Sequence, residues 1–244
     1  MNLVKFVSSF YFVQKQIMSQ FSVKGSHFPK SIILQAVFWY LRYALSYRDV
    51  EELLLERGVN VDHATIQRWV LKYTPLLEAK IRKRKKLVGT SWRMDETYIK
   101  VKGKWCYLYR AVDKENNTID FLLTERRDKK SAKRFFDKAI ATNGVPVKIN
   151  IDKSGSNCSA IEGYNKENNT NIEIRQVKYL NNIIEQDHRA IKRIVKGMLG
   201  FKSFDSASIT LNGIEMVRMI KKNQLNFRDQ SAQSTADIFY SLAA

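Results

Sequence analysis

Between residues 30 and 73 apolar positions recur at three- and four-residue steps, the period of a helix with one buried face. Ile33, Val37, Tyr40 and Leu41 predict a first helix over residues 30–47. Ser46 is placed to cap a second over 47–57, with Val50, Leu53 and Leu54 turned inward. Gly58-Val59-Asn60 breaks the pattern, because Gly and Asn tolerate the left-handed backbone of a tight corner. Asp62 predicts the cap of a third helix over 63–73, with Ile66, Trp69 and Val70 facing in, and Pro75 marks the expected boundary.

After residue 91 the pattern changes. RMDETYIKVKGKWCYLYRAVD (93–113) is dense in β-branched and aromatic residues on both sides of Gly103 and predicts a hairpin. Thr118–Thr124 predicts a third strand. Asp128 then caps a helix over 129–142 that buries Ala132, Phe135, Phe136, Ala139 and Ile140 and stops at Asn143-Gly144. Val147, Ile149 and Ile151 alternate with Lys148, Asn150 and Asp152, a buried strand that should end where Ser154-Gly155-Ser156-Asn157 turns. A polar, helix-compatible stretch and a strand over 172–177 follow. Asn181 or Asn182 caps a helix whose buried stripe is Ile184, Ile191, Ile194, Val195 and Met198. Opposite that stripe run Glu185, His188, Arg189, Lys192 and Lys196. A further amphipathic helix over 206–222 and a polar tail, 226–244, complete a mixed α/β pattern behind an all-α segment.

Charge narrows the partners. The 244 residues carry 42 Lys+Arg against 24 Asp+Glu, a net +18. No single amphipathic segment concentrates this excess, so nucleic acid is favoured over a membrane surface. The spacing of Leu55, Val59, Val61, Ile66 and Trp69 is that of a helix-turn-helix, whose second helix would present His63, Thr65, Gln67 and Arg68 to a DNA groove. The basic block KIRKRKK (80–86) reads as a linker or a strap along phosphates. Cys106 and Cys158 form no CxxC or Cys/His spacing, which excludes a disulfide framework and structural zinc and fits a reducing cytoplasm.

Asp95 and Glu96 sit inside the first strand, where an ionised carboxylate is costly unless its charge is compensated. Asp152 at a strand end and Glu185 on a helix supply two more carboxylates from separate elements. Brought together, Asp95, Asp152 and Glu185 would repel one another unless divalent cations intervened, and two magnesium ions could then activate a water or 3′-hydroxyl at a phosphodiester.

The hairpin, the Asp152 strand end and KYLNNIIEQDHRAIKR (178–193) together resemble the insertion-sequence DDE transposases, most closely type six. The stretch around Glu185 is the most specific match, and LRYALSYRDVEELLLERGVNVDHATIQRWV (41–70) is similar to that family's helix-turn-helix. The resemblance implies an RNase H-like mixed sheet flanked by helices. It implies Asp95, Asp152 and Glu185 as catalytic metal ligands, with Mg²⁺ (or Mn²⁺) as the cofactor. It implies Lys192 as a contact to DNA near the reacting phosphate, in the basic row with His188, Arg189 and Lys196. The partners would be double-stranded DNA, both terminal inverted repeats and target, and further copies of the chain as a homodimer or higher oligomer. The location would be the cytoplasm, on the bacterial nucleoid, with no membrane. Two departures stand out: Lys153-Ser154-Gly155-Ser156 replaces the family's Ala-Pro turn, and Asp152 and Glu185 are two residues closer than is usual.

The expected layout is an extension (1–21), a helix-turn-helix domain (22–79), a basic linker (80–90), a catalytic domain (91–225) and a tail (226–244). The patch Phe6–Val13 is too short to span a bilayer, and residues 1–17, ahead of Met18, read as an upstream start or junction. Two other functions stay open on the sequence. One is a helix-turn-helix repressor with an idle core; the other is an RNase H-like nuclease or resolvase.

Overall fold

The computed structural model describes residues 27–153, 155–226 and 234–243, so the expected extension, 1–21, lies outside the described residues. The chain divides into two compact units, one of residues 86–208 and one made from the segments before and after it.

The helical unit starts with α1 (Lys30–Arg42), α2 (Tyr47–Leu55) and α3 (His63–Arg82). Ser46 caps α2 in a full capping box: its hydroxyl accepts from Asp49 N–H, and the Asp49 carboxylate accepts from Ser46 N–H. Gly58 takes the corner at φ +73°, and Asp62 Oδ2 accepts from Thr65 N–H to open α3. Pro75 does not end α3, contrary to expectation. Ile66, Val70, Tyr73, Leu77 and Ile81 extend one buried stripe past it, and burying that stripe offsets the backbone hydrogen bond a helical proline forfeits. The basic block therefore begins in helix, as Lys80–Arg82. Leu55, expected in the apolar spacing, is exposed.

Residues from Ile209 onward belong to this helical unit rather than to the sheet unit expected to reach 225. They include most of α7 (Phe204–Lys221), where Gly213 lies so close to Leu41 and Thr74 that a Cβ would stand 2.6–2.9 Å from their side chains. The tail also departs from expectation. Ser234 caps a short helix, α8 (Thr235–Ser241), whose Phe239 and Tyr240 rings pack on Phe38 of α1 at 5.1 and 5.8 Å.

The sheet unit holds β1 (Ser91–Val101), β2 (Lys104–Asp113), β3 (Thr118–Thr124), α4 (Lys129–Asn143), β4 (Lys148–Asn150), α5 (Gly155–Asn168), β5 (Glu173–Arg175) and α6 (Asn182–Gly197). The strand order is β3-β2-β1-β4-β5. The first three strands are antiparallel, and β4 and β5 run parallel to β1. This mixed sheet is the RNase H-like arrangement the resemblance implied. Lys102 and Gly103 both have positive φ, the two-residue turn that matches strand twist, so Val101 pairs with Lys104. Trp92, Met94, Tyr109 and Ala111 face a core closed by Phe135, Phe136 and Ala139 of α4 and by Ala160 and Ile161 of α5.

Three local expectations fail for identifiable reasons. β4 is short and Val147 is exposed, whereas Asn150 is buried. Asn150 Nδ2 donates to Val177 O and Asn181 Oδ1, and its Oδ1 accepts from Val177 N–H. Asn181 is thus engaged by Asn150 and makes no side-chain cap for α6, which instead follows a 3₁₀ turn at Lys178–Asn181. The turn expected after Asp152 is replaced by α5, which starts at Gly155.

Candidate active site

β1 carries Asp95 and Glu96 beyond the end of β4, which pairs with β1 only at Ser91–Arg93, while β2 stays paired on the other side. Successive strand residues point to opposite faces, so Glu96 shares the face of Met94, while Asp95 shares that of its cross-strand partner Arg110. At the sheet margin the two carboxylates nevertheless converge with Asp152, just past β4. Ligand oxygens of Asp95, Glu96 and Asp152 lie within 4.8 Å of one another.

The electrostatics record the crowding. The Asp95 carboxyl is pushed up to about 7, first by burial and then by the charge of Glu96, with Asp152 and Glu185 adding to it. Glu96 is raised as well, by burial, although Arg127 and Asn157 oppose the shift. Arg127 Nη2 donates to Asp152 Oδ2 at 3.1 Å, its Nε to Glu96 Oε1 at 3.3 Å, and Asn157 Nδ2 of α5 donates to Glu96 Oε2 at 3.2 Å. Glu185, in the first turn of α6, is exposed and reaches Asp95 through its field. An all-oxygen set of this kind suits a hard divalent cation.

One predicted residue is elsewhere. His188 is not in the exposed row of α6. It is 5% exposed, with Nδ1 3.6 Å from Asp95 Oδ2. Beside it, Asp187 accepts from the fully buried Arg110 guanidinium in an ion pair. Val195, expected in the buried stripe, is only half-buried. Arg189, Lys192 and Lys196 are exposed as expected.

In the helical unit, Arg68 is exposed and its Nη2 donates to Thr65 Oγ1 at 2.7 Å, while Thr65 and Gln67 are half-exposed. His63 is held between Glu51 Oε2 at 3.0 Å and Asp62 Oδ1 at 3.2 Å. Two carboxylates beside it weaken its standing as a phosphate or base contact.

Sequence reasoning had not assigned Glu96, Arg127, Asn157, Asp187 or Arg110 to the site. Two of them carried a signal: Glu96 as a second acid inside a strand, and Asp187 as a polar position in the apolar stripe of α6.

An RNase H-like sheet with a carboxylate cluster at its margin defines a metal-dependent phosphoryl-transfer core. The chain matches the DDE domain family over residues 89–224 and the transposase IS66 family over 25–149. It is 45% identical over 199 residues to a transposase for the insertion sequence-like element IS431mec of Staphylococcus aureus, covering 81% of this chain and 88% of the relative. The same figures hold for the Staphylococcus aureus transposase of insertion sequence element IS257 in transposon Tn4003. Among solved structures, the HTLV-2 integrase catalytic core domain in complex with magnesium aligns with a TM-score of 0.45 and 19% identity, covering 62% of this chain and 97% of that one. The chain belongs to the insertion-sequence DDE transposases. Among the described residues no helix is long and apolar enough to cross a membrane.

Proposed function

We propose that this transposase binds the terminal inverted repeats of its element and cuts and joins DNA strands with Mg²⁺ held by Asp95, Asp152 and Glu185. The observation that carries this reading is the convergence of the Asp95, Glu96 and Asp152 carboxylates, with ligand oxygens within 4.8 Å of one another, where burial and then mutual repulsion disfavour the charged form of Asp95. A repressor with an idle core would gain nothing from that cost. A cation held by these residues would supply Lewis-acid chemistry there, lowering the pKa of an attacking water or 3′-hydroxyl and stabilising the leaving oxygen.

The chain's own residues supply the rest. Asp95 on β1 and Asp152 just past β4 would offer ligand oxygens, and Glu185, which lies outside that close group but adds to the charge felt by Asp95, would complete the set from the first turn of α6. His188 packs against Asp95 and fixes which oxygen it presents. Asn157 orients Glu96, and Arg127 bridges Glu96 and Asp152 and offsets their charge. Arg189, Lys192 and Lys196 continue outward from Glu185 as a phosphate-binding row. Residues 22–79 would read the repeat through α3, with Thr65, Gln67 and Arg68 toward the groove and His63 held at the helix start. Two copies of the chain would bring two element ends together.

The test is nicking and strand transfer on element-end DNA with Mg²⁺. Asp152→Asn and Glu185→Gln should each abolish both while end binding stays within about twofold. Near-normal strand transfer by either variant would remove the assignment. Magnesium-dependent nicking without specific end binding would favour a nuclease instead.

A further inference from the structure

Past the acidic cluster, a groove of about 760 Å³ runs between the hairpin tip and the C-terminal half of α6, lined by Tyr98, Lys100, Trp105, Lys192, Lys196 and Leu199 among others. All belong to the sheet unit. Three large apolar side chains are left in water here: Tyr98 is 47% exposed, Trp105 59% and Leu199 84%. Leu199 also has φ +58°, a left-handed backbone that a leucine adopts at a cost, ahead of Gly200 at +94°. Exposed apolar surface with backbone strain beside a reaction centre is the mark of a binding site.

The walls are fixed. Tyr98 meets Trp105 edge-on at 6.2 Å and Tyr107 at 5.3 Å, and Lys102 N–H donates to Phe201 O at 2.9 Å, tying the segment that follows α6 to the hairpin turn. The charge is of one sign. Lys100, Lys192 and Lys196 line the groove with no carboxylate among its lining residues, and the Lys100 ammonium lies 5.8 Å from the Trp105 ring centroid. Aromatic faces interleaved with lysines are what unpaired nucleotides need: a platform for the base and cations for the backbone. Tyr98 is three residues from Asp95 along β1, roughly 10 Å. Lys192 is two turns from Glu185 along α6, also about 10 Å. A strand engaged at the acidic cluster reaches the groove within a few nucleotides.

We propose that this groove takes unpaired nucleotides of the strand that leaves the acidic cluster, with a base stacked on Trp105 and Tyr98 and its phosphates on Lys100, Lys192 and Lys196. The assignment rests on the DNA-processing reading above and adds to it a single-strand subsite outside the acidic cluster.

The experiment compares the full chain on a blunt duplex and on the same duplex carrying a short single-stranded extension with 2-aminopurine in it. The extension should tighten binding and its fluorescence should be quenched by stacking. Trp105→Ala should lose about tenfold of the affinity for the extended duplex, the size of one base–aromatic stack. It should also lose the quenching and leave blunt-duplex affinity within twofold. Trp105→Phe should keep both. Far-UV circular dichroism confirms that the variants are folded, as an exposed side chain leads one to expect.

The proposal is overturned if the extension brings no gain, or if Trp105→Ala weakens both duplexes equally. It is also overturned if that variant alters only the sedimentation of the chain, which would make the groove a contact between copies. If the unaltered chain binds neither duplex, the DNA reading fails and the groove with it.

Discussion

Replacing Asp95 by Asn should make the metal-free protein more stable while it removes a proposed ligand. Asp95 is pushed from 3.8 up to about 7 by burial and by its acidic neighbours, Glu96 first. An acid raised in the folded state destabilises that state wherever the unfolded chain is ionised. Below about pH 4 both states hold the proton and there is no penalty. Between about 4 and 7 the unfolded carboxyl is ionised and the folded one is not, so stability falls as pH rises. Above 7 the penalty is complete. At about 1.4 kcal/mol per pH unit, that window amounts to about 4 kcal/mol.

Asn keeps the shape and carries no charge, so Asp95→Asn should gain about 2–4 kcal/mol at pH 8 in a chelator, the lower end reflecting its lost contact with His188. Urea unfolding followed by tryptophan fluorescence, to which Trp92 buried in the same sheet contributes, reads this. The gain should vanish at pH 4. Saturating Mg²⁺ should stabilise the parent and not the variant, because a bound cation adds RT ln(1 + [L]/Kd) only where it has ligands. Equal stability at pH 8, or a gain of the same size at pH 4, would refute the argument that Asp95 is held in an acid-crowded pocket.

Three further outcomes follow from particular contacts. Asp187→Ala takes the carboxylate from a fully buried arginine and should cost about 3–5 kcal/mol in urea unfolding, with Glu185→Gln two residues away within about 1 kcal/mol of the parent. Gly213→Ala sets a methyl against Leu41 and Thr74 and should cost about 1–3 kcal/mol, read as a lowered melting temperature. Arg68→Ala should narrow the gap between element-end and random DNA by about 1–3 kcal/mol, whereas Lys192→Ala should weaken both and lower the slope of log affinity against log salt by about one; competition binding across salt concentrations separates them.

What was legible in the sequence was local. Ser46, Asp62 and Asp128 each cap the helix they announce, because a cap needs only its own side chain and an amide three residues on. The hairpin was legible for a similar reason, since a two-residue turn fixes its register. The misses are non-local. Asn150 is buried because residues 177 and 181 come to meet it, and Asn181 loses its role as a cap to the same contact. Pro75 ended a helix by rule, but the stripe through Leu77 and Ile81 outweighs one missing hydrogen bond. The tail became a helix because Phe38 offers Phe239 and Tyr240 a surface that the tail's own residues do not reveal.

The misplacement of His188 has a sharper lesson. At helical spacing the buried positions of α6 are 184, 187, 188, 191 and 194, continued by Met198 at its C-cap, and Asp187 and His188 interrupt an otherwise apolar series. Placing His188 on the outer face and leaving Asp187 unassigned kept the stripe apolar and left its gap unexplained. A helix can bury a carboxylate and an imidazole in one turn only if the surface beneath is itself charged. Beneath that turn are Arg110, which takes Asp187, and Asp95, which His188 adjoins. The polar gap thus marks where α6 crosses the acidic end of the sheet. It does so independently of the Glu185 motif, because the Arg110–Asp187 ion pair and the approach of His188 to Asp95 fix the register of α6 on the sheet.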